Sequence, residues 1–358
     1  MRVTALLPTH DLSDEAVPWM EEIRDVFDEL VVFLDEKRLT TGTLPRIQKV
    51  ATRVERYTAD CWYDWDLASM ARECKSEWVF VIERDEQLSP EWKQSSWREL
   101  LKSSEFTHFL SPRRWIVPGG RYIVSGPWWP DLHLRLFRND LAATTFPKRL
   151  HDTIQVPGPG GTLTNLAIYH HVLWLCDRND REKRVEYYEQ LRPGGGLRHY
   201  YLYEDYAPTL EALPPAAELN IQKEIGSMEV MPPEQIHAVR IVAKGFPALV
   251  KPEQIFWITV TATNRGIQKI ASFQPHPVRL AYHWVDACTG DVVVFDGLRT
   301  ELFPGVGPFS TSVLQMVVSA PPVAGSFVLE ITLVQEGIRW FEKVAPELVQ
   351  RCPIVVAV

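Results

Sequence analysis

Trp78-Val-Phe-Val-Ile-Glu-Arg-Asp-Glu-Gln-Leu-Ser-Pro90 is the stretch from which the fold can be read. Its leading apolar run, residues 78–82, has the pattern of a strand buried on both faces, as in a parallel sheet. The run passes directly into Glu83, Asp85 and Glu86, and then into Ser89-Pro90, a helix-start signal. A hydrophobic strand gains nothing structurally from ending in three carboxylates. In open α/β sheets, however, that carboxyl edge is where ligands bind. Glu83 and Asp85 are two residues apart and point the same way, so together they suit a hard divalent cation such as Mg²⁺ or Mn²⁺. The bland alternative is a solvated acidic turn.

Outward from that strand, the first half alternates strand and helix signals. Residues 3–7 are a short apolar strand running into Pro8, Thr9 and His10. Residues 14–29 carry Val17, Met20, Ile23, Val26 and Phe27 at helical spacing. A second apolar strand, 30–34, ends at Asp35-Glu36, and helices are expected over 43–56 and 62–74. This β-α-β-α-β order predicts a parallel sheet with right-handed crossovers. The ends at Thr9, Asp35 and Asp85 should share one edge.

Residues 106–138 read as loops and antiparallel strands around a cleft. Within them, 132–138 alternates apolar and basic residues, which predicts a strand with one wet face. Trp128 and Trp129 either stack on a sugar or pack beneath the loop. A strand over 166–175 carries His170 and His171, and alternation sends one of the pair inward. Residues 178–191 form a charged helix. From 207 to 233 the composition shifts to Pro, Ala and Glu, which reads as a linker.

Beyond the linker the period changes to two. Segments 254–263, 278–285, 291–295, 312–318 and 327–334 are strand-like, with Gly, Pro and Asp between them. That pattern predicts an immunoglobulin-like β-sandwich with Trp284 in its core. The expected organisation is therefore an α/β domain over 1–206, a linker over 207–233 and an all-β domain over 234–358.

Bulk properties narrow the function. The chain has 358 residues, 46% of them hydrophobic and 23% charged, as in a globular protein, and two domains are the default at this length. A net charge of −8 argues against nucleic acid as a partner. The five cysteines have no CxxC or paired spacing, the pattern of reduced, buried thiols in a cytoplasmic protein. The apolar run near the N-terminus is too short for a signal sequence, and no uncharged stretch is long enough to span a bilayer. A cytoplasmic location is expected, with peripheral contact at the inner face of the membrane if the substrate is lipid-linked. Homodimerisation through the second domain is an open expectation.

With these pieces in place, the region 2–205 resembles the family-2 glycosyltransferases with the GT-A fold. Pro8, Thr9 and His10 stand where that family has Pro-x-Tyr/His-Asn. Asp35 follows the second strand, where the family reads the donor base. Trp62-Tyr-Asp-Trp-Asp-Leu-Ala-Ser-Met-Ala71 resembles the helix before the metal strand, and Ile82-Glu-Arg-Asp-Glu86 stands for Leu-Asp-Ala-Asp-Glu. Trp129-Pro-Asp, Arg135-Leu-Phe-Arg138 and Leu150-His-Asp152 are similar to Pro-x-x-Arg-Leu-Phe-Arg followed by Val-His-Glu. The sequence departs from the family at Glu83, Arg84, Asp11 and Asp66.

The resemblance implies an inverting, metal-dependent transfer of sugar from a nucleotide-diphosphate donor to a glycan or lipid-linked acceptor in bacterial surface polysaccharide assembly. It implies Mn²⁺ or Mg²⁺ on Asp85, Glu83 and His170. The donor would lie on Pro8, Thr9, His10, Asp35, Asp66, Glu83, Arg135 and Arg138. Arg135 and Arg138 do not share a face of a regular strand, so at most one should reach the diphosphate. Asp152 would be the base that deprotonates the acceptor hydroxyl; otherwise it caps a helix beginning near Thr153. The rival reading is a catalytically silent glycan-binding protein on a transferase scaffold. A nucleotidyltransferase would need a Gly-rich phosphate loop after the first strand, and Pro8-Thr9-His10-Asp11 supplies none.

Overall fold

The computed structural model describes residues 1–58, 65–102, 105–140, 142–147, 153–193, 197–220 and 225–357. The chain divides into two units, Met1–Val124 with Asp131–Gly226, and Ser125–Pro130 with Ser227–Val358.

In the first unit, strands β1 (Val3–Thr9), β2 (Glu29–Asp35), β3 (Arg53–Tyr57) and β4 (Trp78–Val81) are parallel, in spatial order β4-β1-β2-β3. Side chains alternate across these strands, so each feeds two cores. Val3, Ala5 and Leu7 of β1 and Phe80 of β4 pack with Val17, Met20 and Ile23 of helix α1 (Val17–Val26) and with Ile47 of α2 (Thr43–Val50). Leu6, Val31, Phe33, Val79 and Val81 point the other way, onto Met70 and Ala71 of α3 (Leu67–Glu73). Helices on both faces explain why these strands are continuously apolar.

The sheet continues antiparallel beyond β4. Strand β5 (Glu86–Leu88) leads on to β6 (His108–Val117), β7 (Arg121–Ile123) and β8 (Leu132–Arg138), and β8 lies between β4 and β6. Strand β9 (Gly160–Leu163) runs parallel to β6, and β10 (Ile168–His170) bridges β6 and β5. Among the described residues the sheet is mixed, with helices on it, an α/β layout.

Several expectations change. The helix expected over 43–56 stops at Val50, and Arg53–Tyr57 becomes a strand because it pairs with β2 along the sheet edge. Its alternating charges suit an edge strand. The strand at 132–138 turns its basic side chains at 133 and 135 towards a cleft, where His133 is part-exposed and Arg135 is buried. The strand expected over 166–175 ends at His170, and a short helix, α4 (Val172–Leu175), follows. The segment read as a linker carries β11 (Leu210–Ala212), paired with β7, and β12 (Ile225–Gly226), paired with β9.

Glycine is required where β9 passes β6. A Cβ on Gly160 would lie 2.3 Å from His108 Nε2, and one on Gly161 would meet the Phe109 ring at 2.8 Å. Enclosed in this way, His108 has its pKa pushed down to about 4 by burial. In the unfolded chain it titrates near 6.5. Between those values the unfolded state binds a proton that the folded state refuses, so stability falls as pH drops below 6.5 and levels off below about 4. From pH 7 to pH 5 this group should cost about 2 kcal/mol. Urea titrations at the two pH values are expected to show that loss in wild type and a smaller one in His108→Phe; equal losses would rule the assignment out.

Of the cysteines expected to be buried, Cys74 is, with burial pushing its thiol up to about 12, but Cys288 is exposed. All four described cysteines are free thiols. Among the described residues no helix is long and apolar enough to cross a membrane.

The second unit is all-β apart from short helical turns. Strands β13 (Val239–Lys244), β15 (Ile255–Asn264) and β19 (Ser310–Ser319) make one sheet. The other follows the order β14 (Leu249–Val250), β22 (Gln350–Val356), β20 (Gly325–Gln335), β16 (Val278–Asp286), β17 (Val292–Val294), with β18 (Thr300–Glu301) also paired to β16 and β21 (Arg339–Trp340) to β20. Period-two burial in β15 sends Phe256, Ile258, Val260 and Ala262 into one core with Leu280, Trp284, Leu329 and Ile331 of the other sheet, a β-sandwich layout. Trp284 is fully buried there. Trp128 is buried too and stacks on Trp257, whose Nε1 donates to the Gly126 carbonyl at 2.7 Å. It is therefore a packing residue of this unit.

Candidate active site

The carboxyl ends of β1 and β4 open onto a cleft of about 440 Å³ in the first unit. Beyond Val81 the backbone turns sharply, with the Glu86 N–H donating to the Glu83 carbonyl at 3.1 Å, and then enters β5. Register does the rest. His170 of β10 lies opposite Glu86 of β5, and the His171 N–H donates to the Asp85 carbonyl at 2.8 Å. A histidine 85 positions along the chain is thereby placed beside Asp85. Glu83, Asp85 and His170 each offer a ligand atom, and these lie within 4.8 Å of one another.

Charge around this cluster is strongly organised. Burial pushes Asp85 up, but His170, 3.6 Å away, together with Arg184 and Arg84, holds its carboxylate well below the usual range. Burial likewise raises Glu83, and Asp85 adds to that, but Arg135, Arg113 and His170 together more than offset them, so its carboxylate is held below the usual range. Arg135 donates to Glu83 at 3.0 Å and also to Glu86, a fully buried carboxylate. For Glu86 burial prevails, and its pKa is raised. Arg84 pairs with Asp11.

The donor set fits a hard divalent cation: two carboxylates and an imidazole, with His170 Nδ1 buried and without a hydrogen-bond partner among the described residues. Aromatic rings frame the cleft. Trp65 and His10 stack at 6.4 Å, while Tyr188, Tyr200 and Tyr201 stand with Trp115, whose edge meets His170 at 4.4 Å. A third group is Asp131, enclosed by Arg113, Trp115 and His133.

The residues expected from sequence separate clearly. Pro8, His10, Glu83, Asp85, Arg135 and His170 all line the cleft. Thr9 is buried and hydrogen-bonds with Asp11. Asp35 is fully buried, accepting from the Lys37 N–H at 3.2 Å and from Arg38 at 2.6 Å. Asp66 caps α3 through the Ser69 N–H at 2.9 Å. Arg138 lies over the Trp78 ring at 4.9 Å and donates to the Phe106 carbonyl. These four do not line the cleft, for the simple reason that local caps and core packing claim their side chains. Asp152 falls outside the described residues.

Sequence reasoning assigned no role to Arg113, Asp131, His133, Arg184 and the tyrosines. The spacing of Asp131, His133 and Arg135 was the available signal, since period two puts them on one face.

No family model and no curated protein matches the chain. Among solved structures, S. aureus TarS 1-349 matches at 14% identity over 52% of this chain and 64% of that one, with a TM-score of 0.34. The CARDB domain of PF1109 from Pyrococcus furiosus, solved with di-metal ions, matches at 16% identity over 33% and 87%, with a TM-score of 0.23. A Listeria innocua beta-glucosidase in complex with glucose matches at 8% identity, and the chain spans 16% of its length, with a TM-score of 0.24. At these TM-scores none of the three assigns a fold family or an activity.

Proposed function

We propose that this protein is an inverting, metal-dependent glycosyltransferase of the family-2, GT-A kind, moving a sugar from a nucleoside-diphosphate donor to a hydroxyl of a glycan or lipid-linked acceptor. The observation that carries the reading is the meeting of Glu83, Asp85 and His170 at a strand-end cleft that also holds Arg84, Arg113 and Arg184. Two acidic ligands beside several fixed cations suit a diphosphate bridged through a metal better than they suit a neutral ligand. Bound Mn²⁺ or Mg²⁺ would neutralise charge on the departing diphosphate.

The chain's own residues would do the rest. Arg184 and Arg84 face the phosphates, and the Trp65–His10 pair offers a flat surface for the base. Tyr188, Tyr200 and Tyr201 wall the sugar side. Arg135 holds Glu83 in place. The second unit is read as an immunoglobulin-like module that holds acceptor glycan or pairs two copies, with the work done at the cytoplasmic face of the membrane in surface polysaccharide assembly.

The test is thermal unfolding with UDP, GDP and their sugar conjugates, each with and without Mn²⁺. At a hundredfold excess over Kd, binding adds about 2.7 kcal/mol, a rise of roughly 5–10 °C for a unit of this size. The rise should need the cation. No shift with any nucleotide would sink the proposal, and binding without turnover would favour the silent glycan-binding reading.

A further inference from the structure

The cleft is also lined by Asp131 and His133, to which the reading above gives no work. Asp131 sits just before β8 with a left-handed φ of 31°, and its backbone carbonyl accepts from the Arg113 N–H at 3.0 Å. Its Oδ2 takes two hydrogen bonds, from Arg113 Nε at 2.9 Å and from Trp115 Nε1 at 2.7 Å. Its Oδ1 faces His133 Nε2 at 3.0 Å. The side chain of Asp131 is only 12% exposed, whereas that of His133, 31% exposed, opens to the cleft.

The direction of that third hydrogen bond follows from chemistry. Two cationic or N–H donors and His133 hold Asp131 ionised, well below the usual carboxylate range although burial opposes them. An ionised carboxylate only accepts. His133 Nε2 must therefore carry the hydrogen, and in the neutral ring the lone pair is on Nδ1. Around the imidazole stand Arg113 on β6, Arg135 on β8 and Asp131. Burial and the two arginines lower its pKa more than Asp131 raises it, so the ring is neutral near pH 7. A carboxylate that fixes the tautomer and can stabilise the resulting imidazolium is the arrangement that makes histidine a proton acceptor.

Resting on the transferase reading, we propose that His133 is the catalytic base and Asp131 the residue that positions it. As the acceptor oxygen forms its bond to the anomeric carbon, its proton passes to His133 Nδ1. The bond from that carbon to the diphosphate oxygen breaks, and its electron pair leaves with the nucleoside diphosphate. This gives the role to His133 in place of Asp152.

The test uses the full chain with Mn²⁺ and a panel of UDP- and GDP-sugars, reading nucleotide release to water. His133→Asn should slow release about 100-fold or more while UDP affinity stays within about threefold. Asp131→Asn should slow it and displace the acid limb of the pH profile, and added imidazole should partly restore the His133→Asn variant. Release by His133→Asn within about threefold of wild type, or its loss only in Asp152→Asn, overturns the assignment while leaving the transferase reading intact. Absence of any nucleotide binding in wild type overturns both. If nucleotide binds but no sugar in the panel turns over, ¹⁵N spectra of labelled histidine decide. The Nε2–H form of His133 that is lost in Asp131→Asn sustains the inference, and an Nδ1–H form in wild type refutes it.

Discussion

Asp85→Asn is expected to abolish cation-dependent nucleotide binding, lowering Mn²⁺ affinity by about 100-fold or more. Mutating mere supports of a ligand already costs about 10–100-fold, and Asp85 stands centrally among the candidate ligands, beside both Glu83 and His170. The environment is arranged to keep it ionised. Burial alone would favour its protonation, yet His170, Arg184 and Arg84 reverse that. An amide of the same shape keeps the packing and removes the charge, so the variant isolates electrostatics. Calorimetric titration with Mn²⁺, then with UDP in its presence, is the measurement. Wild-type affinity in the variant would show that the cluster is an ordinary acidic strand end, and the donor reading would fall with it.

Arg135→Ala is expected to destabilise the first unit by about 3–5 kcal/mol, because it leaves a buried carboxylate without its main counter-charge. Glu86 is fully buried, and after Arg135 its nearest cation is Arg113 at 3.6 Å. The pH dependence gives a sharper check. Burial already raises Glu86 in the wild type; without Arg135 it should titrate still higher, so the folded variant takes up its proton at a higher pH than the folded wild type does. Stability lost at pH 8 should then be partly recovered as pH falls towards 5. Adding Glu86→Gln to Arg135→Met should restore most of the loss, since replacing both partners removes the unpaired charge. Urea unfolding of the four proteins at two pH values decides it; a cost below 1 kcal/mol for Arg135→Ala would mean that water reaches Glu86.

Legibility from sequence followed how local each signal was. β1, β2 and β4 were readable because strands covered on both faces must be apolar throughout, and Glu83 and Asp85 were conspicuous because they interrupt such a run. Helix 178–191 was readable as well and is observed as Arg178–Leu191. β3 was missed because Arg53, Glu55 and Tyr57 have no strand signature until β2 supplies a partner along the edge. β13 and β22 were not read in the second unit, although each carries buried apolar residues at alternate positions, Val239 and Ile241 in the one and Ile354 and Val356 in the other.

Asp35, Asp66 and Arg138 show a different limit. As residue types at strand and helix ends they match a binding role, and in the structure Asp35 and Asp66 also accept from backbone N–H groups while Arg138 lies over an indole. Composition cannot tell these uses apart. The distinction lies in which atoms come within 3 Å.

What the amino-acid order determined by itself is the alternation of buried strands and amphipathic helices, the change to period two, and the placing of acid at the end of one buried strand. These follow from the pitch of each element and from the cost of leaving apolar surface in water. Only the tertiary structure decided that His170 meets Asp85, that Arg135 is buried between Glu83 and Glu86, and that Asp131 grips His133. The first two depend on strand register between segments far apart in the chain, where a shift of one residue would turn those side chains to the opposite face; the third depends on the left-handed backbone at Asp131 and on Arg113 and Trp115 holding its carboxylate.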